Sequence, residues 1–67
     1  MEAYQERVVI ERDELLEKIK RLQFFLTKVD LPIDTAEEDR LKRQWEIMGA
    51  YVAVLNERIA AFKVKSA

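Results

Sequence analysis

The chain contains no cysteine and no histidine in its 67 residues. Disulfide staples are excluded, and so is every metal site that relies on thiolate or imidazole ligands. The commonest general acid–base side chain is missing as well. Glycine and proline occur once each, at Gly49 and Pro32, so the chain carries few of the residues that punctuate a sequence into turns and strands. No apolar run approaches the roughly 20 residues of a membrane span, and Met1 to Arg7 is too charged for a signal-peptide core. Twelve basic against thirteen acidic residues leave a net charge of -1, which argues against DNA or RNA binding by bulk charge. The expectation is a protein without metal, cofactor or membrane anchor, with the cytoplasm as its default location.

What is present is apolar content at helical spacing. Leu, Ile, Val and Phe supply 21 of the 67 residues, above the range of a disordered chain, and the length allows one domain. The strong interruption is Asp30-Leu31-Pro32-Ile33-Asp34, because proline fixes its own φ and pushes the preceding residue out of the helical region. Thr35 and Glu38 have the spacing of a capping box, with Asp34 as the alternative cap. Glu37, Glu38 and Asp39 suit the positive end of a helix dipole, and Lys63 and Lys65 its negative end. Leu41, Trp45, Met48, Val52, Leu55, Ile59 and Phe62 follow steps of four and three without a break, the rhythm of a coiled-coil seam. Val8, Leu15, Ile19, Leu22, Leu26 and Val29 repeat it before the turn, with Gln5 and Arg12 at two seam positions. The spacing predicts an all-α fold: helix 3–29, turn 30–35, helix 36–64, folded into an antiparallel two-helix hairpin.

Counting back from the turn pairs Leu22 with Trp45, Leu15 with Val52 and Val8 with Ile59, and places Trp45 in the core. Glu14–Lys18, Glu17–Arg21, Glu38–Lys42 and Asp39–Arg43 are acid-first pairs four apart that support an exposed helix. Two helices cover each other along one stripe only. Val9, Ile10, Leu16 and Phe24 on the first helix and Ile47 and Val54 on the second lie off that stripe. Exposed apolar surface of this extent marks association in a soluble protein. Gly49 costs about 1 kcal/mol relative to alanine inside a helix, a cost that close approach of a second hairpin over Val9 and Leu16 would explain; a tolerated surface glycine is the alternative. These seven residues form the expected interface of a homo-oligomeric helical bundle, a dimer or tetramer.

On the other flank Tyr4, Glu11, Lys18 and Phe25 face Glu37, Gln44, Tyr51 and Arg58, with Glu11 expected near Arg58 and Lys18 near Tyr51. Rings interleaved with cations are what base stacking and phosphate pairing require. Arg7 and Arg12 add charge at the same end of the hairpin. The candidate ligand-binding residues are Tyr4, Arg7, Arg12, Lys18, Tyr51 and Arg58; an ordinary coiled-coil flank shielding the seam is the alternative. Arg12, a cation in an apolar seam, must snorkel outward, pair with a carboxylate or hold an anion. Catalysis is not expected. Ser66, Thr27 and Thr35 have no histidine to serve as base, the lysines lie on solvated faces, and no glycine-rich phosphate loop exists.

Tyr4-Gln5-Glu6-Arg7-Val8-Val9, then Glu11, Glu14 and Leu15, then Arg43-Gln44, Met48, Tyr51, Leu55 and Arg58-Ile59-Ala60-Ala61-Phe62, resemble a family of very small phage-encoded helical proteins first named from a crAss-like phage. The resemblance spans nearly the whole chain. Asn56 departs from it, since glycine is expected there in many relatives, and the turn is short. The resemblance implies a phage accessory protein in the host bacterial cytoplasm. Such proteins counter host defence by stoichiometric binding, and by analogy with unrelated helical bundles the ligand would be a cyclic nucleotide or related small anion. A host protein docked on the exposed apolar strip, or a purely structural coiled-coil role, are the other readings.

Overall fold

The computed structural model describes residues 1–28 and 30–64, with side chains as far as Phe62. Val29, expected to close the first seam, lies outside the described residues, as do Lys65, Ser66 and the Lys63 side chain. Two helices make up the fold: α1, Ala3–Leu26, and α2, Thr35–Val64. They pack against each other as an elongated hairpin with extents of 52 × 15 × 14 Å. Antiparallel pairing is read from the cross-helix contacts: Tyr4 near the start of α1 meets Phe62 near the end of α2, whereas Glu11 and Arg12 further along α1 meet Tyr51 and Asn56 further back along α2.

Each helix start is capped locally. The buried Gln5 side chain does not simply interrupt the apolar seam: its Oε1 accepts the Glu2 N–H at 2.8 Å, satisfying a donor the helix leaves unpaired. At the start of α2 the Glu37 N–H donates to Asp34 Oδ1 at 2.8 Å. Asp34 is therefore the cap and Thr35 the first helical residue, one position earlier than expected.

The first helix stops at Leu26 rather than running to Val29. The Thr27 N–H is shared between the Gln23 and Phe24 carbonyls, and the Thr27 hydroxyl donates to Phe24 O at 2.6 Å. A side chain that bonds its own last turn competes with continuation of the backbone ladder, and Pro32 further on disfavours helical geometry at Leu31.

The core sits in the half of the hairpin remote from this loop. Gln5, Val8, Val52 and Leu55 are buried, Leu55 completely. Toward the loop Leu15, Ile19, Leu22, Leu26, Leu41 and Met48 are only half-covered. Trp45 corrects its expected place in the core: it is 36% exposed. Among the described residues the fold is only two helices thick, so no third element covers the outer part of the large ring.

Candidate functional site

The flank carrying Tyr4, Lys18, Tyr51 and Arg58 is built by two adjacent heptad columns, one per helix. All four side chains are exposed. Tyr4 packs edge-to-face on Phe62, with ring centroids 5.8 Å apart at 81°, and its hydroxyl accepts a long contact of 3.5 Å from Gln5 Nε2. Its ring thus has a fixed orientation at the open end of the hairpin. The Tyr51 hydroxyl donates to Glu11 Oε2 across the seam. Glu11 therefore pairs with Tyr51, not with the expected Arg58. Tyr51 and Arg58 share one heptad column of α2, seven residues apart, and it is the Tyr51 hydroxyl that reaches the carboxylate across the seam.

Arg12 does not join this flank. Its Nε donates to Asp13 Oδ1 at 2.8 Å and its Nη1 to Asn56 Oδ1 at 2.7 Å. Asn56 occupies the heptad column on the opposite side of the seam, so the guanidinium snorkels away from Tyr51. The departure at Asn56, where a glycine was expected, supplies the acceptor that anchors Arg12. Arg7 is exposed on the outer face of α1.

Lys18 borders a shallow depression of about 390 Å³ with Glu14, Glu17 and Arg21, all on α1. Acidic and basic groups alternate there, so the depression has no single sign. Of the four acid-first pairs, Glu38–Lys42 closes at 3.1 Å, joined by Arg40–Glu37 at 2.8 Å. Near the loop Gln23, Leu26, Thr27, Lys42 and Trp45 border a second, more apolar depression of about 230 Å³. Sequence reasoning missed this one because it placed Trp45 inside the seam; the aromatic ring beside Lys42 was the signal available.

From Tyr4 to Lys18 the flank extends about 21 Å at 1.5 Å per residue. The structure puts Tyr4, Tyr51, Arg58 and Lys18 in one exposed row but does not fold them around a common enclosed point. Of the residues expected at an interface, Ile10, Phe24, Ile47 and Val54 are exposed, Val9 and Leu16 half-covered, and Gly49 open, with nothing within 4 Å of where a Cβ would stand. Among the described residues no group of three or more acidic side chains is placed to hold a metal ion, and no helix is long and apolar enough to cross a membrane.

A hairpin of two long helices with this much apolar surface outside its seam defines a class: small all-helical hairpin proteins without an enclosed cavity among the described residues. Within that class the family is identified by sequence. The Sequestin family model matches residues 2–61, and the chain belongs to that family. An uncharacterized 7.5 kDa protein from the denB-rIIB intergenic region of Enterobacteria phage T4 is 41% identical over 64 residues, covering 94% of this chain and all of that protein. No solved structure matches. The resemblance to a family of small phage proteins is supported by this relative, which comes from an enterobacteria phage and not from a crAss-like one.

Proposed function

We propose that this protein is a non-enzymatic phage counter-defence protein that acts in the host cytoplasm by stoichiometric binding, sequestering a small anionic nucleotide signal. The observation that carries the reading is the exposed row of Tyr4, Arg58, Tyr51 and Lys18 on one flank, where two aromatic rings alternate with two cations. Rings offer faces for bases, and cations offer charge-assisted hydrogen bonds to phosphates. The family's name, Sequestin, points the same way, and its phage relative supports a phage context. Arg12 is set aside from the site because its Nε and Nη1 are held by Asp13 and Asn56 on the other side of the seam. The row is shallow on a single hairpin, so the ligand is held where subunits meet.

Calorimetric titration with cyclic dinucleotides, cyclic trinucleotides and cyclic ADP-ribose isomers tests this. One member of the panel binds, and Tyr51→Ala and Arg58→Ala each weaken it at least tenfold. Recovery of intact ligand after denaturing the complex distinguishes sequestration from cleavage. Absence of heat from every member overturns the reading and leaves a host-protein inhibitor, for which the exposed Phe24 and Ile47 are the specific support.

A further inference from the structure

Glu11 stands in the middle of the exposed row. Arg58 lies one heptad from Tyr51 toward the open end of the hairpin, and Lys18 one heptad from Glu11 toward the loop, each about 10 Å along its helix. The row is therefore cationic toward both ends and anionic between them. Among the described residues the half-buried acids are Glu11, Glu37 and Glu38. Glu37 is paired with Arg40, and Glu38 with Lys42. Glu11 meets no cation among the described residues, and its partner there is the Tyr51 hydroxyl, which donates to Oε2. Taking a carboxylate partly out of water without a counter-charge is unfavourable. One phenolic hydrogen bond offsets part of that cost, but a neutral glutamine would accept the same bond without the charge. The negative charge at position 11 is thus unexplained by the hairpin itself.

The carboxylate also has acceptor capacity to spare. It offers about four lone-pair sites, and Tyr51 fills one of them on Oε2. No buried side-chain oxygen lacks a partner among the described residues, so the unbonded Oε1 opens to solvent. An open carboxylate edge beside an aromatic ring suits two adjacent N–H or O–H donors, as acidic side chains show on ribose hydroxyls and base edges. It repels a phosphate at the same level, which is how a site rejects the wrong orientation. A nucleotide laid along the flank then places its phosphate on Arg58 or Lys18 and its donors at Glu11. We propose that Glu11 is the specificity-determining residue of this flank, selecting nucleotides that present two adjacent hydrogen-bond donors. The inference rests on the sequestration reading and deepens it by naming the ligand chemistry. A ribose cis-diol and the N–H edge of guanine are the two sources of such a pair.

Calorimetric titration of the full chain and of Glu11→Gln with 2′-deoxy-ADP, ADP and 2′-deoxy-GDP tests it. The three probes carry equal charge and differ in the donor pair: none, the diol, and the guanine edge. ADP or 2′-deoxy-GDP binds the wild type at least about tenfold more tightly than 2′-deoxy-ADP, and whichever does so identifies the source of the donors. In Glu11→Gln the preference falls below about threefold. Pyrophosphate, which brings charge without a base or sugar, binds Glu11→Gln more tightly than wild type. Damage to the scaffold would weaken every probe together, so the opposite signs separate recognition from structure. Glutamine keeps an acceptor for the Tyr51 hydroxyl, and circular dichroism checks that the helices persist. Equal binding of the three nucleotides by the wild type overturns the proposal, as does a preference that survives in Glu11→Gln or a pyrophosphate affinity that falls with the others. So does absence of binding by all three nucleotides at about 1 mM; the cyclic nucleotide panel then decides separately whether the sequestration reading stands.

Discussion

Leu55 is completely buried and, with Val8 and Val52, forms the buried apolar core among the described residues. In a core this small, truncation leaves a void that few neighbours can collapse into, so Leu55→Ala is expected to destabilise the protein by about 2–5 kcal/mol, read from urea unfolding. Gly49 behaves in the opposite sense. It is helical, its φ is not positive, and a Cβ there meets nothing within 4 Å. Within the hairpin its absence of side chain serves no packing purpose, and Gly49→Ala is expected to raise stability by about 1 kcal/mol. The same substitution discriminates between surfaces. If a second hairpin approaches over Val9 and Leu16, the added methyl weakens assembly; if none does, assembly is unchanged while the denaturation midpoint rises.

At the scale of the element, the hairpin depends on sharp helix ends. Asp34 accepts the Glu37 N–H, and Glu37 in turn accepts from Arg40 Nε, so one carboxylate starts the helix and the next steadies its first turn. Asp34→Ala is expected to lose about 1 kcal/mol, and Asp34→Asn to retain most of the cap, as measured by thermal unfolding. Helical spacing predicted both helices and their antiparallel sense, because an unbroken four-three rhythm on each side of Pro32 has few other solutions. It did not reveal where α1 stops. Leu26 is followed by Thr27, a residue tolerated in a helix, and only the closure of its hydroxyl on Phe24 O ends the ladder there. Trp45 stays partly uncovered, and it borders a depression with Lys42 beside the loop.

For the whole molecule the balance is between a long surface and a thin core. Three apolar side chains are fully classed as buried among the described residues, Val8, Val52 and Leu55, while Ile10, Phe24, Ile47 and Val54 face solvent. A chain that folds and associates in one step gains stability from its own concentration. The thermal midpoint is therefore expected to rise with each tenfold increase in protein concentration, and differential scanning calorimetry from about 5 to 500 μM measures it; a midpoint independent of concentration would speak for a self-sufficient hairpin.

Heptad spacing by itself determined that there are two helices, that they fold back at Pro32, which residues face the seam, and that apolar side chains remain outside it. Such information is periodic: it assigns a residue to a face, and a face is enough to define a hairpin. Tertiary structure alone decided which polar groups meet. That Glu11 takes Tyr51 instead of Arg58, and that Arg12 turns to Asn56 on the far flank, depends on how individual side chains extend between the two helices. Hydrogen bonds form over fractions of an ångström, whereas an apolar seam tolerates small axial shifts, so the packing could be read from the pattern and the polar network could not.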